Sequence, residues 1–101
     1  MDTQRVRELA RRLRDTQRNL ETETVEVEGV SGNIRVVVFG NQSIKRIHIN
    51  QDLYEASTPK ELAEQLRLVI NDALKKSQNL ARQRLSALAG GAQQGGEEKV
   101  W

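Results

Sequence analysis

Residues 22–49, TETVEVEGVSGNIRVVVFGNQSIKRIHI, decide the fold, because they contain three strand-like runs separated by two glycine-containing turn signals. Alternating apolar and polar side chains over six or seven residues are typical of a half-buried β-strand. The turn signals, at 29–33 and at Gly40-Asn41, are short enough to close hairpins. The pattern therefore predicts a three-stranded antiparallel sheet, with strands over residues 22–28, 34–39 and 43–49.

The middle and last runs of this stretch predict where their strands lie in the sheet. The middle run is apolar on both faces, with Ile34, Val36 and Val38 on one face and Val37 and Phe39 on the other. A strand of this kind is expected at the centre of a sheet or against a second surface. In the last run, Ile44 is out of phase with Ile47 and Ile49. That phase change predicts a β-bulge or an early change of register.

Residues 3–20 precede the predicted sheet and have the pattern of an amphipathic helix. An apolar seam recurs at near-heptad spacing and consists of Val6, Leu9, Leu13 and Leu20. An arginine row lies roughly opposite the seam at about 100° per residue. The row consists of Arg7, Arg11, Arg14 and Arg18. One side of this helix is therefore expected to contact apolar surface, while the other presents fixed positive charge to solvent.

A second helix is predicted after a connecting loop over residues 50–57, and its start has a clear local signal. Thr58 can cap the backbone N–H groups of the first turn, and Pro59 suits the first helical position, where no N–H is needed. Glu61 can bond back to the capping residue. The helix is therefore expected to begin at Pro59.

The predicted second helix is longer than the sheet that it would cover. From Pro59 to about Ala89, before the stop signal Gly90-Gly91, it would span roughly 46 Å, whereas the strands span only about 20–23 Å. Its apolar stripe, interrupted by Arg84, continues beyond the sheet through Leu80, Ala81, Leu85 and Leu88. Because this overhang needs a partner helix and the first helix has a narrow seam, a homodimer is predicted. The expected fold class is α+β, in the order α-β-β-β-α.

Composition excludes several classes of protein. A chain of 101 residues is expected to form one domain, and its lack of cysteine excludes a disulfide scaffold and a cysteine-ligated zinc site. No apolar run approaches the roughly 20 residues that span a bilayer, and the polar start has no signal-peptide core. We therefore expect a cytoplasmic protein without membrane contact. His48, the only histidine, has no convergent ligands or base, so we expect no enzyme activity, metal, cofactor or small-molecule substrate.

Charge is distributed unevenly along the chain, although the net charge is only +2. Six arginines against three acidic residues give +3 over residues 1–20, and five basic residues against one aspartate give +4 over residues 65–89. Four glutamates between these segments make a local charge of −4, and they are Glu21, Glu23, Glu26 and Glu28. The two basic segments are suited to an anionic partner.

The arginine row can bind phosphate groups, because each guanidinium can give two hydrogen bonds to one anion. The alternative is a solvated face, in which Glu8 pairs with Arg11 and Arg12, and Asp15 pairs with Arg11 and Arg18. Arg5 and Arg12 flank the apolar seam, where their stems can pack while their charged groups reach outward.

A second basic set on the long helix consists of Lys75, Lys76 and Arg82. Lys75 and Arg82 are seven residues apart and share one side, whereas Lys76 lies about 100° away. These residues do not form a single row, and phosphate contact and a solvated face are both open for them. The cations of the predicted sheet are weaker candidates, namely Arg35, Lys45 and Arg46.

Four local features stand out in the chain: the Gly29…Ser31-Gly32 turn before a valine-rich strand, the Gly40 hairpin, the strand 44-IKRIHI-49 and the run 69-VINDALKK-76. Together they resemble the YbaB/EbfC family of bacterial nucleoid-associated proteins, over about residues 3–91. The resemblance implies tweezers-like homodimers whose projecting helices bind duplex DNA with weak sequence preference. It assigns residues 1–91 to a DNA-binding and dimerisation domain located in the nucleoid. The glycine-rich residues 92–101 are predicted to form a flexible tail.

Two functional hypotheses from different classes remain. The first is a homodimer that binds double-stranded DNA through phosphate contacts from Arg5, Arg7, Arg11, Arg12, Arg14, Arg18, Lys75, Lys76 and Arg82. The alternative is a dimeric protein-interaction module that docks a partner helix on the overhanging apolar stripe. Binding of unrelated duplexes at low salt distinguishes the two.

Overall fold

The computed structural model describes residues 3–98 and, within them, the side chains of residues 3–88. Its elements are α1 (Thr3–Leu20), β1 (Thr24–Gly29), β2 (Ile34–Phe39), β3 (Ile44–Ile49), α2 (Gln51–Ala56) and α3 (Pro59–Glu98). The predicted α+β class, the three-stranded sheet and the long C-terminal helix are confirmed. Among the described helices, none combines the length and the hydropathy that crossing a bilayer requires.

The three strands form one antiparallel sheet in the order β1-β2-β3, so the strand that is apolar on both faces is central, as predicted. Ile34, Val36 and Val38 of β2 are fully buried, and Val69 and Ala73 of α3 pack against them. Burying an Ile or Val side chain contributes about 1.5–3 kcal/mol. This contact between α3 and the inner face of the sheet is therefore the core of the chain.

A β-bulge in β3 determines which of its side chains share this inner face. Opposite β2, the pairing steps from Arg46 directly to Ile44, which leaves Lys45 as the extra residue of the bulge. Ile44 thereby joins Ile47 on the face toward α3, and the predicted bulge is confirmed. Because α3 packs over β1 and β2, Ile44 and Ile47 remain 44% and 42% exposed.

The connection between the sheet and α3 differs from the prediction. The predicted loop over residues 50–57 contains the helix α2, so that prediction is wrong. Asn50 caps α2, since its side chain accepts a hydrogen bond of 2.9 Å from the backbone N–H of Asp52. A helix of six residues is too short to show an apolar period, so its local signals are only the Asn50 cap and Asp52 in the first turn.

The start of α3 is confirmed, whereas its predicted end is wrong. The backbone N–H of Glu61 donates to Thr58 Oγ1 over 3.1 Å, and the N–H of Thr58 donates to the Glu61 carboxylate over 3.0 Å, which completes the capping box. The helix continues through Gly90-Gly91 to Glu98 instead of ending near Ala89. A glycine costs only about 1 kcal/mol in a helix interior, so a glycine pair weakens a helix without ending it.

The length of α3 confirms that the helix overhangs the sheet. Its 40 residues span roughly 60 Å, about three times the length of a six-residue strand. Of the predicted tail, residues 92–98 belong to this helix. Residues 99–101, which include Val100 and Trp101, lie outside the described residues.

Candidate nucleic-acid interface

The helix α1 is buried at its C-terminal end and open toward its N-terminal end. Leu20 is 5% exposed, whereas Leu13, Leu9 and Val6 are 42%, 52% and 49% exposed. The four residues of the arginine row are exposed as well. The apolar seam is therefore covered only where α1 joins the sheet and α3, and the arginine row lies in solvent along the whole helix.

Ion pairs neutralise part of the charge on α1. Glu8 binds Arg11 at 3.4 Å and Arg12 at 3.3 Å, as the solvated-face alternative requires, whereas the pairs predicted for Asp15 are not formed within residues 3–88. Four arginines of α1 form no ion pair within the same residues, namely Arg5, Arg7, Arg14 and Arg18. Exposed pairs contribute about 0–1 kcal/mol, so a phosphate group can displace Glu8 at little cost.

The structure separates the three predicted cations of α3. Lys75 is exposed and makes no hydrogen bond or ion pair with the other described side chains. Arg82 donates to Asn79 Oδ1 over 2.8 Å. Lys76 turns toward the edge of β1, where its Nζ donates to the backbone carbonyl of Glu26 over 3.0 Å. Lys75 and Arg82 therefore share the face of α3 that lies away from the sheet, and Lys76 does not.

Two of the three cations of the sheet, Arg35 and Lys45, are engaged in local contacts on its outer face. Arg35 binds Glu26 at 2.9 Å and Glu28 at 3.1 Å. Lys45 places its Nζ 5.7 Å from the ring centroid of Phe39, which is within the range of a cation–π contact. Because two carboxylates surround the guanidinium of Arg35, this part of the sheet is poorly suited to phosphate groups.

A cluster of contacts, which we call the arm junction, joins α1, the β2-β3 hairpin and α3; it consists of Leu20, Glu23, Gly40, Ser77 and Arg84. The backbone carbonyl of Glu23 accepts from the N–H of Gly40 over 2.8 Å. Ser77 is fully buried, and its Oγ donates over 2.6 Å to the backbone carbonyl that precedes Gly40. The arm junction therefore attaches both long helices to one hairpin.

Arg84, which interrupts the apolar stripe, has its partner in Glu23, 61 residues away in the sequence. Its Nε donates to Glu23 Oε1 over 3.2 Å and its Nη2 donates to Oε2, so the contact is bidentate. The hydrogen bond from Arg84, with its positive charge, lowers the pKa of Glu23 below the ordinary value of 4.5. An arginine in an apolar stripe and a surplus of glutamate over residues 21–28 were the only sequence signals of this pair.

The described residues offer charge and hydrogen bonds and no cluster of metal ligands. Within residues 3–88, whose side chains the structure describes, no three histidine, cysteine or acidic side chains are placed to hold a metal ion. A hydrogen bond from Arg67 lowers the pKa of Glu64, just as Arg84 lowers that of Glu23. In both cases, the arginine favours the ionised form of the carboxylate.

The sequence is similar to those of several bacterial proteins. It is 30% identical over 88 residues to a nucleoid-associated protein of Syntrophobacter fumaroxidans, and the aligned region covers 87% of this chain and 80% of that protein. It is 33% identical over 94 residues to a nucleoid-associated protein of Roseiflexus castenholzii, and the aligned region covers 90% of this chain and 94% of that protein.

Two further comparisons concern the fold and the family. The crystal structure of the uncharacterized protein HP0035 from Helicobacter pylori has the same fold, with a TM-score of 0.64 and 15% identity over 80% of this chain and 93% of that one. The model of the YbaB/EbfC DNA-binding family matches residues 2–92. The match extends from α1 through most of α3, and this chain therefore belongs to the YbaB/EbfC DNA-binding family.

Proposed function

We propose that this protein binds double-stranded DNA in the bacterial nucleoid as a homodimer, mainly through contacts of arginine and lysine with phosphate groups. The observation that carries the proposal is the exposed arginine row, in which Arg7, Arg14 and Arg18 form no ion pair within residues 3–88. Membership of a DNA-binding family and relatives named nucleoid-associated proteins support it.

The arginine row suits the backbone of a duplex in length and spacing. From Arg7 to Arg18 the helix rises through 11 residues, or roughly 16 Å. One strand of DNA carries a phosphate about every 3.4 Å of helix axis, so several guanidinium groups can reach phosphates of the same strand together. Because phosphate contacts carry no base identity, this mode of binding is weakly selective for sequence.

Lys75 and Arg82 on α3 supply a second set of phosphate contacts in this proposal. Both lie on the exposed face of α3, and the hydrogen bond from Arg82 to Asn79 leaves its guanidinium accessible. Lys76 contributes less, because its ammonium group already binds the carbonyl of Glu26. Arg5 and Arg12, beside the apolar seam, add positive charge to α1 away from the arginine row.

A second copy of the chain would cover apolar surface that α3 leaves open. Ile44 and Ile47 on the inner face of β3 and Tyr54 of α2 are exposed. Apolar side chains beside an unpaired strand edge are typical of an interaction surface. A two-fold dimer through this face keeps α1 and the distal half of α3 outside the dimer core, where both can contact DNA.

Removal of the unpaired members of the arginine row tests the proposal. The variant with Arg7→Gln, Arg14→Gln and Arg18→Gln removes three of the cations proposed to bind phosphate from each protomer. We expect its affinity for a duplex of unrelated sequence to fall by about 10- to 100-fold at low salt, with the dimer and the helix content unchanged. Fluorescence anisotropy with a labelled duplex measures the affinity.

A charge-matched variant provides the control. Lys45→Gln, Arg46→Gln and Lys60→Gln remove the same three charges from exposed positions outside α1. We expect this variant to lose much less affinity, because only the general electrostatic attraction is reduced. Equal losses in the two variants would show that the arginine row is not the binding site.

A protein-interaction module is the second candidate function. One observation favours it: the apolar seam stays exposed at Val6, Leu9 and Leu13, beside the charged side chains of Arg5 and Arg12. An amphipathic helix with acidic flanks would fit such a surface. If duplexes fail to bind at low salt, this candidate replaces DNA binding.

A further inference from the structure

We propose that Glu23 and Arg84 are a positioning pair for DNA binding. Their ion pair fixes the angle between α1 and the part of α3 beyond Ser77, which we call the projecting half. The arginine row and Arg82 can then reach one duplex together. This role rests on the proposed DNA binding. It predicts that loss of Glu23 weakens DNA binding, whereas net charge alone predicts that loss of Glu23 tightens it.

Glu23 is held from both sides of the arm junction. It ends the tight connection between α1 and β1, and its backbone N–H donates to the carbonyl of Asn19 in the last turn of α1 over 2.9 Å. Its own carbonyl accepts from Gly40 on the hairpin. The backbone of Glu23 is therefore fixed to both α1 and the sheet, and together they position its carboxylate.

Arg84 lies seven residues, or roughly 10 Å, beyond Ser77 along α3. Within residues 3–88, its contact with Glu23 is the outermost hydrogen bond between α3 and the rest of the chain, since those of Lys76 and Ser77 lie closer to the sheet. Beyond Ser77, the apolar side chains of Leu80 and Ala81 are only partly buried, and burial of apolar surface is non-directional. A bidentate bond between guanidinium and carboxylate constrains both distance and angle, so this pair can set the direction of the projecting half.

Charge alone predicts that loss of Glu23 tightens DNA binding. Glu23→Gln removes one negative charge, raises the formal net charge of the chain from +2 to +3, and frees Arg84 for phosphate. If the pair positions the helices, the same substitution weakens binding, because fewer cations engage one duplex at the same time. The two explanations thus differ in the sign of the effect.

Glu21 provides a matched control two residues away. It is exposed, and its side chain makes no hydrogen bond or ion pair with the other described side chains. We expect Glu21→Gln to tighten duplex binding, and Glu23→Gln to weaken it by about three- to tenfold with a shallower salt dependence. Anisotropy titrations over a series of salt concentrations measure both quantities. If Glu23→Gln tightens binding as Glu21→Gln does, the positioning role is wrong.

Two double variants that keep the wild-type net charge separate position from charge. The exchanged pair, Glu23→Arg with Arg84→Glu, can re-form the contact, and we expect it to recover affinity and salt slope. Glu23→Gln with Arg84→Gln cannot re-form it and should stay weak; equal affinities of these variants would overturn the proposal. Thermal midpoints and sedimentation show whether each variant keeps fold and dimer. A wild-type chain that ignores DNA refutes the proposed function itself, and the role of the pair with it.

Discussion

At Gly40, the backbone of the β2-β3 hairpin lies against Leu20, the buried last residue of α1. A Cβ on Gly40 would be 2.7 Å from Leu20 Cδ2 and 2.9 Å from the Leu20 carbonyl oxygen. The side chain of Leu20 is enclosed and its carbonyl belongs to α1, so neither can give way without moving the helix. From sequence, Gly40 could be predicted only as a turn residue, because its contact with α1 depends on tertiary structure.

Substitution of this glycine should therefore act on the arm junction. We expect Gly40→Ala to lower the free energy of unfolding by about 1–3 kcal/mol, since the added methyl overpacks a closed contact. Urea denaturation followed by circular dichroism measures the loss. A midpoint equal to that of the wild-type protein would show that α1 is free to shift away from the hairpin.

Elements with a strong local signal could be predicted from the sequence, and those without one could not. The strands have a period of two residues, and the capping box marks the start of α3 at Pro59. The helix α2 is too short for a period, and the end of α3 does not follow from Gly90-Gly91 because glycine is only a weak helix breaker.

The candidate site shows the same division between local and distant information. Exposure of the arginine row follows from helical geometry within 18 residues. The pair Glu23–Arg84 and the contact of Lys76 with Glu26 join residues that are 61 and 50 positions apart. Such contacts depend on how α3 crosses the sheet, which no local pattern in the chain determines.

In the proposed homodimer, the face of β3 that α3 leaves open is the expected contact between the two copies. We expect Ile44→Ser with Ile47→Ser to raise the dimer dissociation constant by at least about tenfold. The two substitutions remove apolar surface whose burial between the two copies would stabilise the dimer. Analytical ultracentrifugation measures the constant. Arg46→Ser, on the opposite face of the same strand, should leave it unchanged. A double isoleucine variant that stays dimeric would place the interface elsewhere.

Over the whole molecule, basic and acidic side chains lie on different elements, so that the net charge stays small. The arginine row of α1 and the outer face of α3 are basic, whereas the glutamates of residues 21–28 lie in and beside β1. Arg35 binds two of these glutamates and Arg84 binds a third, so these two arginines offset two of the three negative charges. A net charge of only +2 is thus compatible with a strongly basic surface where DNA is proposed to bind.

Equilibrium binding of the wild-type protein to a duplex of unrelated sequence, titrated over a range of salt concentrations, tests whether the protein holds DNA through phosphate contacts. If each dimer neutralises about six phosphates, log affinity falls linearly with log salt with a slope of about −5, and duplexes of different sequence give similar slopes. A slope near zero, or no binding at low salt, would contradict binding through phosphate contacts.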